Sequence, residues 1–131
     1  MSEHFRYEEQ ASYWTNPSDL QWLAERPIAS AVRVRYVPMT TDYLKPGAIM
    51  LEMPPGYTIV RHSHPCARVE IVIRGSLQTT EGSFGPGDVM TAKPGEAYGP
   101  HTAGPEGCLT VEFFERMEAS WHTTFEDEVQ T

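Results

Sequence analysis

The chain has 131 residues, of which 40% are hydrophobic, so it is long enough for one domain with its own core and too short for two ordinary domains. Its 18 acidic residues outnumber its 10 basic ones, which gives a net charge of −8 and argues against binding a nucleic-acid backbone. No apolar run has the length of a secretory signal or a membrane span. We therefore expect a single-domain cytoplasmic protein that contacts neither nucleic acid nor membrane.

The first 27 residues are predicted to form an arm with a short helix. Residues 16–26 suit one or two helical turns, with Ser18 or Asp19 as the cap and Pro27 as the end. Beyond the arm, prolines and glycines divide the chain into short pieces rich in Val, Ile, Thr, Tyr and Phe, which is typical of strands. The predicted strands are Ile28–Val37, Ala48–Met53, Tyr57–His62, Arg68–Ile73, Ser76–Thr80, Asp88–Ala92, Ala97–His101 and Cys108–Phe114.

This succession of short strands and turns predicts an all-β barrel or sandwich over residues 28–116. Residues 117–131 form an acidic tail that carries Trp121 and Phe125. The tail is expected to pack on its own barrel or on a second subunit, and we predict a homodimer. Cys66 and Cys108 are expected to be reduced thiols, because the chain has no export features.

His62 and His64 are the most informative residues, because side chains two apart on a strand leave the same face. Neutral imidazole is the commonest metal ligand, so the pair predicts a mononuclear metal site inside a small β-barrel. The alternative is a pair of ordinary polar residues. His101, in a Gly/Pro-rich turn, is a third imidazole that could fold over the same face.

The residues around this pair resemble the first motif of the cupin superfamily: glycine, five residues, His-x-His, three or four residues, glutamate, six residues, glycine. Gly56, His62, His64 and Gly75 match that pattern. The run from Gly87 to Tyr98 resembles the second motif: glycine, five residues, proline, one residue, glycine, two residues, histidine. The resemblance implies a cupin-type jelly-roll β-barrel.

Across residues 30–115, which the resemblance mostly covers, three motif positions depart from the pattern. Arg68 occupies the position of the ligand glutamate, Tyr98 that of the third histidine and Lys93 that of the proline. A guanidinium at a ligand position repels a divalent cation. The resemblance therefore predicts the fold more firmly than it predicts the metal.

Two nearby residues are candidates to replace the missing ligands. Glu70 lies two positions after Arg68 and so points to the same side of the strand, where it would either bind the metal or pair with Arg68 or Arg74. His101 would swing into the place left by Tyr98. The predicted ligands of a divalent Fe, Mn, Ni, Cu or Zn ion are thus His62, His64, Glu70 and His101.

Two functions follow from this pattern. Similarity to the acetylacetone-cleaving, dihydroxyacetophenone dioxygenase-like and ChrR-type cupins implies a metal-dependent, dioxygenase-like oxidoreductase acting on a small carbonyl or enolisable compound. Arg68 and Tyr98 would then be its catalytic residues, although a purely structural Tyr98 is the alternative. The second function is a non-catalytic module that binds a metal or a small acid at a degenerate metal site. Glu52 and Glu112 are expected to face solvent.

Overall fold

The computed structural model describes residues 6–7, 13–15 and 32–126 of the chain. Within residues 32–126 the chain forms nine strands and a single turn of 3-10 helix, which confirms the all-β fold class. The predicted arm helix at residues 16–26 lies outside the described residues. The strands are β1 Arg33–Pro38, β2 Gly47–Met53, β3 Thr58–Ile59, β4 His62–Ser63, β5 Arg68–Thr79, β6 Gly82–Phe84, β7 Val89–Ala92, β8 His101–Phe114 and β9 Thr124–Phe125, and the 3-10 helix is Met117–Trp121.

Seven strands form one antiparallel sheet in the order β1-β2-β8-β5-β6, with β3 joined to β8 and β7 joined to β5. The strands β4 and β9 form a second, two-stranded sheet. The long strand β8 pairs with β2, β3 and β5 along its length. The positions of β8 and β5 therefore fix which side chains meet inside the fold.

The predicted strands Arg68–Ile73 and Ser76–Thr80 form one continuous strand, β5, and the strand predicted at Cys108–Phe114 begins earlier, at His101. Strand β5 runs through the predicted break at residues 74–75, where its register with β8 shifts twice. Gly75 permits this bulge, since its φ is +78° and a Cβ there would collide with the carbonyl oxygen of Gly107. The predicted strand Tyr57–His62 is divided between β3 and β4, and β6 and β9 were not predicted.

The apolar core lies on the inner faces of β1, β2, β5 and β8, which supply most of its buried residues. Strand β2 alternates strictly between buried and partly exposed residues, as expected for a strand with one covered face. The 3-10 helix covers one end of this core, with Met117 1% exposed and Ala119 fully buried. The largest fully buried side chains are Met53, Leu77, Met117, Val72, Thr110 and Cys66.

The described part of the C-terminal tail packs on its own barrel. Strand β9 pairs with β4, with Phe125 opposite His62 and Thr124 opposite Ser63. The alternative in which the tail packs on its own chain therefore holds as far as residue 126. Within the described residues, no helix combines the length and apolar content needed to cross a membrane.

Candidate ligand-binding site

Arg68 is the central charge of the site and points into the fold from the start of β5. Arg68 is 3% exposed, and its Nη1 donates to Glu70 Oε1 at 2.6 Å and to Glu112 Oε2 at 3.4 Å. The second oxygen of Glu70 accepts a 2.7 Å hydrogen bond from the fully buried Thr110 hydroxyl. Of the alternatives for Glu70, the structure shows the ion pair with Arg68.

Tyr98 lies beneath the guanidinium, with Arg68 Cζ 3.6 Å from the centre of its ring. This stacking is a favourable use of a buried arginine, because the ring face is electron-rich. The Arg68 Nε and the Tyr98 hydroxyl are both buried, and neither has a hydrogen-bond partner among the described residues. Two donors are thus left for an oxygen-bearing group.

The two histidines predicted from their spacing do lie side by side. Their ring centres are 5.2 Å apart with the planes at 90°, and the Tyr98 ring is 4.5 Å from His62 and 6.1 Å from His64. His62 Nδ1 donates to the Val60 carbonyl at 2.8 Å, which leaves Nε2 as the lone-pair nitrogen. His64 Nδ1 is 3.2 Å from the Thr123 hydroxyl.

His101 joins the same group at the first residue of β8. It is 8% exposed, and its ring centre lies 5.6 Å from that of Tyr98. The Tyr98 ring is thus close to both His62 and His101, and both histidines line one small cavity. The predicted role of His101 as a metal ligand stays a prediction.

Burial keeps all three imidazoles uncharged near neutral pH. Loss of solvation lowers the pKa of His62 to about 4 and that of His64 to about 3, and the charge of Arg68 acts in the same direction on both. Burial likewise lowers the pKa of His101. Neutral imidazoles accept hydrogen bonds or bind metals, so the group is a set of acceptors rather than a cationic patch.

The pKa values of Glu112 and of the Arg68 guanidinium shift in the opposite direction. Burial, followed by the nearby charge of Glu70, raises the pKa of Glu112 to about 8. Burial alone would lower the pKa of Arg68, but the charges of Glu112 and Glu70 outweigh it and the net shift is upward. At neutral pH the Arg68 guanidinium thus lies beside Glu70 and beside a Glu112 that is mostly protonated.

A cavity of about 180 Å³ opens from Arg68, Tyr98 and His101 toward the surface. Phe84 and Met90 provide its apolar wall. A second cavity of about 20 Å³, enough for one water molecule, lies deeper in the fold. Its polar lining is His62, Glu70, Tyr98, His101 and Glu112.

The side chains as arranged do not fit a mononuclear divalent cation. In the part of the chain that the structure describes, no three His, Cys, Asp or Glu side chains come close enough together to hold a metal ion. Both Glu70 oxygens are engaged by other groups, and a permanent cation lies 2.6 Å from that carboxylate. Metal binding stays a prediction for His62, His64, Glu70 and His101.

Glu112 is the residue whose position the sequence analysis misjudged. It was expected to face solvent, but it points inward opposite Glu70 and is 9% exposed. Strict alternation back from the buried Phe114 would have found it. Glu52, by contrast, faces outward, where it pairs with Arg33 and Arg74.

The two cysteines are free thiols and are separated in the fold. The Sγ of the buried Cys66 contacts the carbonyls of Ala67 at 3.3 Å and Arg116 at 3.9 Å. Burial raises the pKa of Cys108 to about 12. Both residues are therefore small buried groups, and the raised pKa disfavours the thiolate of Cys108.

Solved structures share this fold at low sequence identity. An RmlC-like cupin from Ralstonia eutropha JMP134 is 20% identical with a TM-score of 0.54, over 69% of this chain and 59% of its own. Anti-sigma ChrR, solved with SigE of Rhodobacter sphaeroides, is 22% identical with a TM-score of 0.54, over 63% of this chain and 44% of its own. Oxalate decarboxylase from Bacillus subtilis is 21% identical with a TM-score of 0.61, over 76% of this chain and 28% of its own.

These identities support the cupin fold and nothing finer. This chain spans less than two thirds of the length of each of these three proteins. No curated protein matches the sequence. The sequence pattern of the ChrR cupin-like domain matches residues 10–118, and the chain therefore belongs to the ChrR cupin-like domain family of cupins.

Proposed function

We propose that this chain binds a small oxygen-bearing organic ligand, a carboxylate or an enolisable carbonyl compound, without a metal. The ligand oxygen accepts hydrogen bonds from Arg68 Nε and the Tyr98 hydroxyl. The observation that carries the proposal is that two buried donors without partners among the described residues belong to side chains that line the same cavity. Buried donors are normally satisfied, so unpaired ones indicate a missing partner.

The size and walls of the cavity limit the ligand. Its volume of about 180 Å³ is below the roughly 300–1,000 Å³ of sites for drug-sized molecules, so the ligand is small. Phe84 and Met90 favour a short apolar portion beside the oxygen-bearing end. Arg68 is already neutralised by Glu70, so the site accepts a polar carbonyl as readily as a full anion.

The relatives are consistent with a small acid as ligand and with a sensing role. Oxalate, in the name of one structure, is a small carboxylic acid, and ChrR is an anti-sigma factor. A binding or sensing module is therefore our first proposal for this chain. Such signalling would need a partner protein.

Binding can be tested on protein treated with a chelator, by calorimetry with acetate, oxalate, pyruvate and acetylacetone. Tyr98→Phe removes only the hydroxyl, and we expect it to weaken binding about tenfold, as loss of one buried hydrogen bond does. Tyr57→Phe is the matched control, since Tyr57 is partly buried against the core but does not line the cavity. Absence of binding across the panel, or equal binding by Tyr98→Phe, would refute the proposal.

A second candidate is the metal-dependent, dioxygenase-like enzyme that the cupin resemblance implies. One observation favours it: His62 donates through Nδ1 to a backbone carbonyl, the arrangement that orients metal-binding imidazoles. Elemental analysis of protein purified without chelator, beside the His62→Ala His64→Ala variant, tests it. Stoichiometric metal that disappears in the variant would favour this candidate, and oxygen uptake with β-diketones under Fe(II) would then test catalysis.

A further inference from the structure

We propose that the ligand of this cavity is a small amino acid in its zwitterionic form, with its carboxylate on Arg68 and Tyr98 and its ammonium group on Glu81 and Glu96. The inference rests on the proposed function and narrows it, from any small oxygen-bearing compound to one that also carries a cation. It follows from the different chemistry of the two ends of the same cavity.

The inner end of the cavity offers hydrogen-bond donors without a surplus of positive charge. Arg68 Nε and the Tyr98 hydroxyl are buried donors that have no partner among the described residues, and both side chains line the cavity. The charge of Arg68 is already matched by the Glu70 carboxylate at 2.6 Å. A carboxylate that bound here would bring a further negative charge, and a cation on the ligand itself would offset that charge.

The outer end of the cavity carries a surplus of negative charge. The exposed residues Glu81 and Glu96 both line it, and neither forms an ion pair within the described part of the chain. Arg61 lines this end as well, but its guanidinium lies 3.6 Å from the carboxylate of Glu126. Such an entrance attracts an ammonium group and repels a simple anion.

Local hydrogen bonds hold the two acidic residues in place. The Glu96 Oε1 accepts a 2.9 Å hydrogen bond from the backbone N–H of Lys93, which fixes that carboxylate. The Thr79 hydroxyl accepts the backbone N–H of Glu81 at 3.0 Å and donates to the Gly82 carbonyl at 3.0 Å, which fixes the turn between β5 and β6. Groups that are already ordered bind a ligand at a lower entropic cost.

The two ends are close enough for one small molecule to reach both. Glu96 precedes Tyr98 by two residues, so their Cα atoms are at most about 7 Å apart. Burial is the largest cause of the lowered pKa of His101, and the negative charge of Glu81 counteracts it, so this carboxylate acts on the inner group as well. Phe84 and Met90 line the cavity and provide an apolar surface for the carbon chain of the ligand.

The test uses matched pairs of compounds that differ in the amino group alone. We would measure the binding of alanine and propionate, and of 4-aminobutyrate and butyrate, by calorimetry on chelator-treated protein. In at least one pair, the amino acid should bind about tenfold more tightly than the acid without the amino group. Tyr98→Phe should weaken the binding of both members of that pair.

Variants at the outer end test the assignment of the ammonium group. The double change Glu81→Gln Glu96→Gln keeps the shape of both side chains and removes both charges, so the preference for the amino acid should disappear while the plain acid binds no more weakly. Glu96→Lys should reverse the preference in favour of the plain acid. Glu106→Gln is the matched control, because Glu106 is an exposed carboxylate that does not line the cavity, and it should keep the preference of the parent.

The outcomes separate this inference from the proposed function. A parent that binds the plain acids at least as tightly as the amino acids, or a double variant that keeps the preference, overturns the inference and leaves the proposed function standing. A parent that binds no compound of this panel or of the earlier one removes the proposed function, and the inference with it.

Discussion

On strands β5 and β8, charged side chains point inward and large apolar side chains point outward. This is the reverse of the arrangement that is usual in a globular protein. Arg68 and Glu70 on β5 and Glu112 on β8 face inward and are at most 9% exposed. Their neighbours along the same strands, Val69 and Phe113, face outward and are 37% and 48% exposed. Charged residues are normally outside and large apolar residues normally inside, so this region reverses the rule.

The reversal teaches that alternation fixes which residues share a face, but not which face is buried. The inner face tolerates its charges because each has a partner: Arg68 binds Glu70, and Thr110 binds Glu70 as well. This charged part of the interior is the candidate ligand-binding site. The apolar core lies further along β5, at Val72 and Leu77. Substitutions that break the inner pairings should therefore lower the unfolding free energy far more than substitutions on the outer apolar face.

The largest expected effect is that of Glu70→Ala. This change leaves the Arg68 guanidinium buried at 3% exposure without its closest carboxylate, and removal of one partner of a buried ion pair costs about 3–5 kcal/mol of unfolding free energy. Urea denaturation followed by circular dichroism measures it. Glu106→Ala is the matched control, because Glu106 is an exposed carboxylate on β8. Equal losses of unfolding free energy in the two variants would contradict the prediction that the buried pair of Arg68 and Glu70 stabilises the fold.

A smaller loss is expected for Thr110→Val, which keeps the shape of the side chain and removes its hydroxyl. The change leaves Glu70 Oε2 without its 2.7 Å donor, and an unsatisfied buried acceptor costs about 1–3 kcal/mol. Thr102→Val, on the same strand, serves as the control, since that hydroxyl bonds Thr58 in exposed surroundings. An unfolding free energy equal to that of the parent would show that Glu70 does not depend on Thr110.

Unfolding free energy should pass through a maximum near pH 6.5. Above that value the folded chain retains a proton on Glu112, with a pKa of about 8 against an ordinary 4.5, while the unfolded chain does not, so stability falls as the pH rises toward 8. Below pH 6.5 the unfolded chain protonates histidines that the folded chain keeps neutral down to about pH 4 for His62 and about pH 3 for His64. Stability therefore falls on the acid side as well.

Urea denaturation between pH 5.5 and pH 8 tests this profile, and Glu112→Gln separates its two limbs. That variant cannot titrate, so its stability should be level from pH 6.5 to pH 8 while the acid decline persists. The control Glu106→Gln should show the decline in stability on both the acid and the alkaline side, like the parent. A parent whose stability rises steadily to pH 8 would contradict the inward-facing, protonated Glu112.

The smallest effect on folding is expected on the outer face, which is the surface available to the predicted homodimer. Val69, Ile73, Val89 and Phe113 lie on neighbouring strands and are between 37% and 52% exposed. Phe113→Lys should change the unfolding free energy of the monomer by less than about 0.5 kcal/mol. It should also shift a dimeric parent toward monomer in light scattering at matched concentrations. A parent dimer that Phe113→Lys leaves intact would place the contact elsewhere.

Much of the fold could be predicted from the sequence because its signals are local. Turn residues and short runs of β-forming residues located most strands, and motif spacing brought His62, His64 and Tyr98 together. The pairing of β4 with β9 could not be predicted, since it joins His62 to Phe125 across 63 positions with no local pattern. The inward position of Glu112 could not be predicted from the usual cost of burying a carboxylate, because the buried Arg68 on the neighbouring strand offsets that cost.

The short pairing of β4 with β9 links the end of the described chain to the histidines. Thr123 contacts His64 Nδ1, Phe125 lies over His62 with ring centres 5.4 Å apart, and Glu126 pairs with Arg61 through backbone and side chain. A protease that cuts before Thr123 would therefore remove the contacts that hold His62 and His64 from this side, and would disturb the imidazoles without touching them.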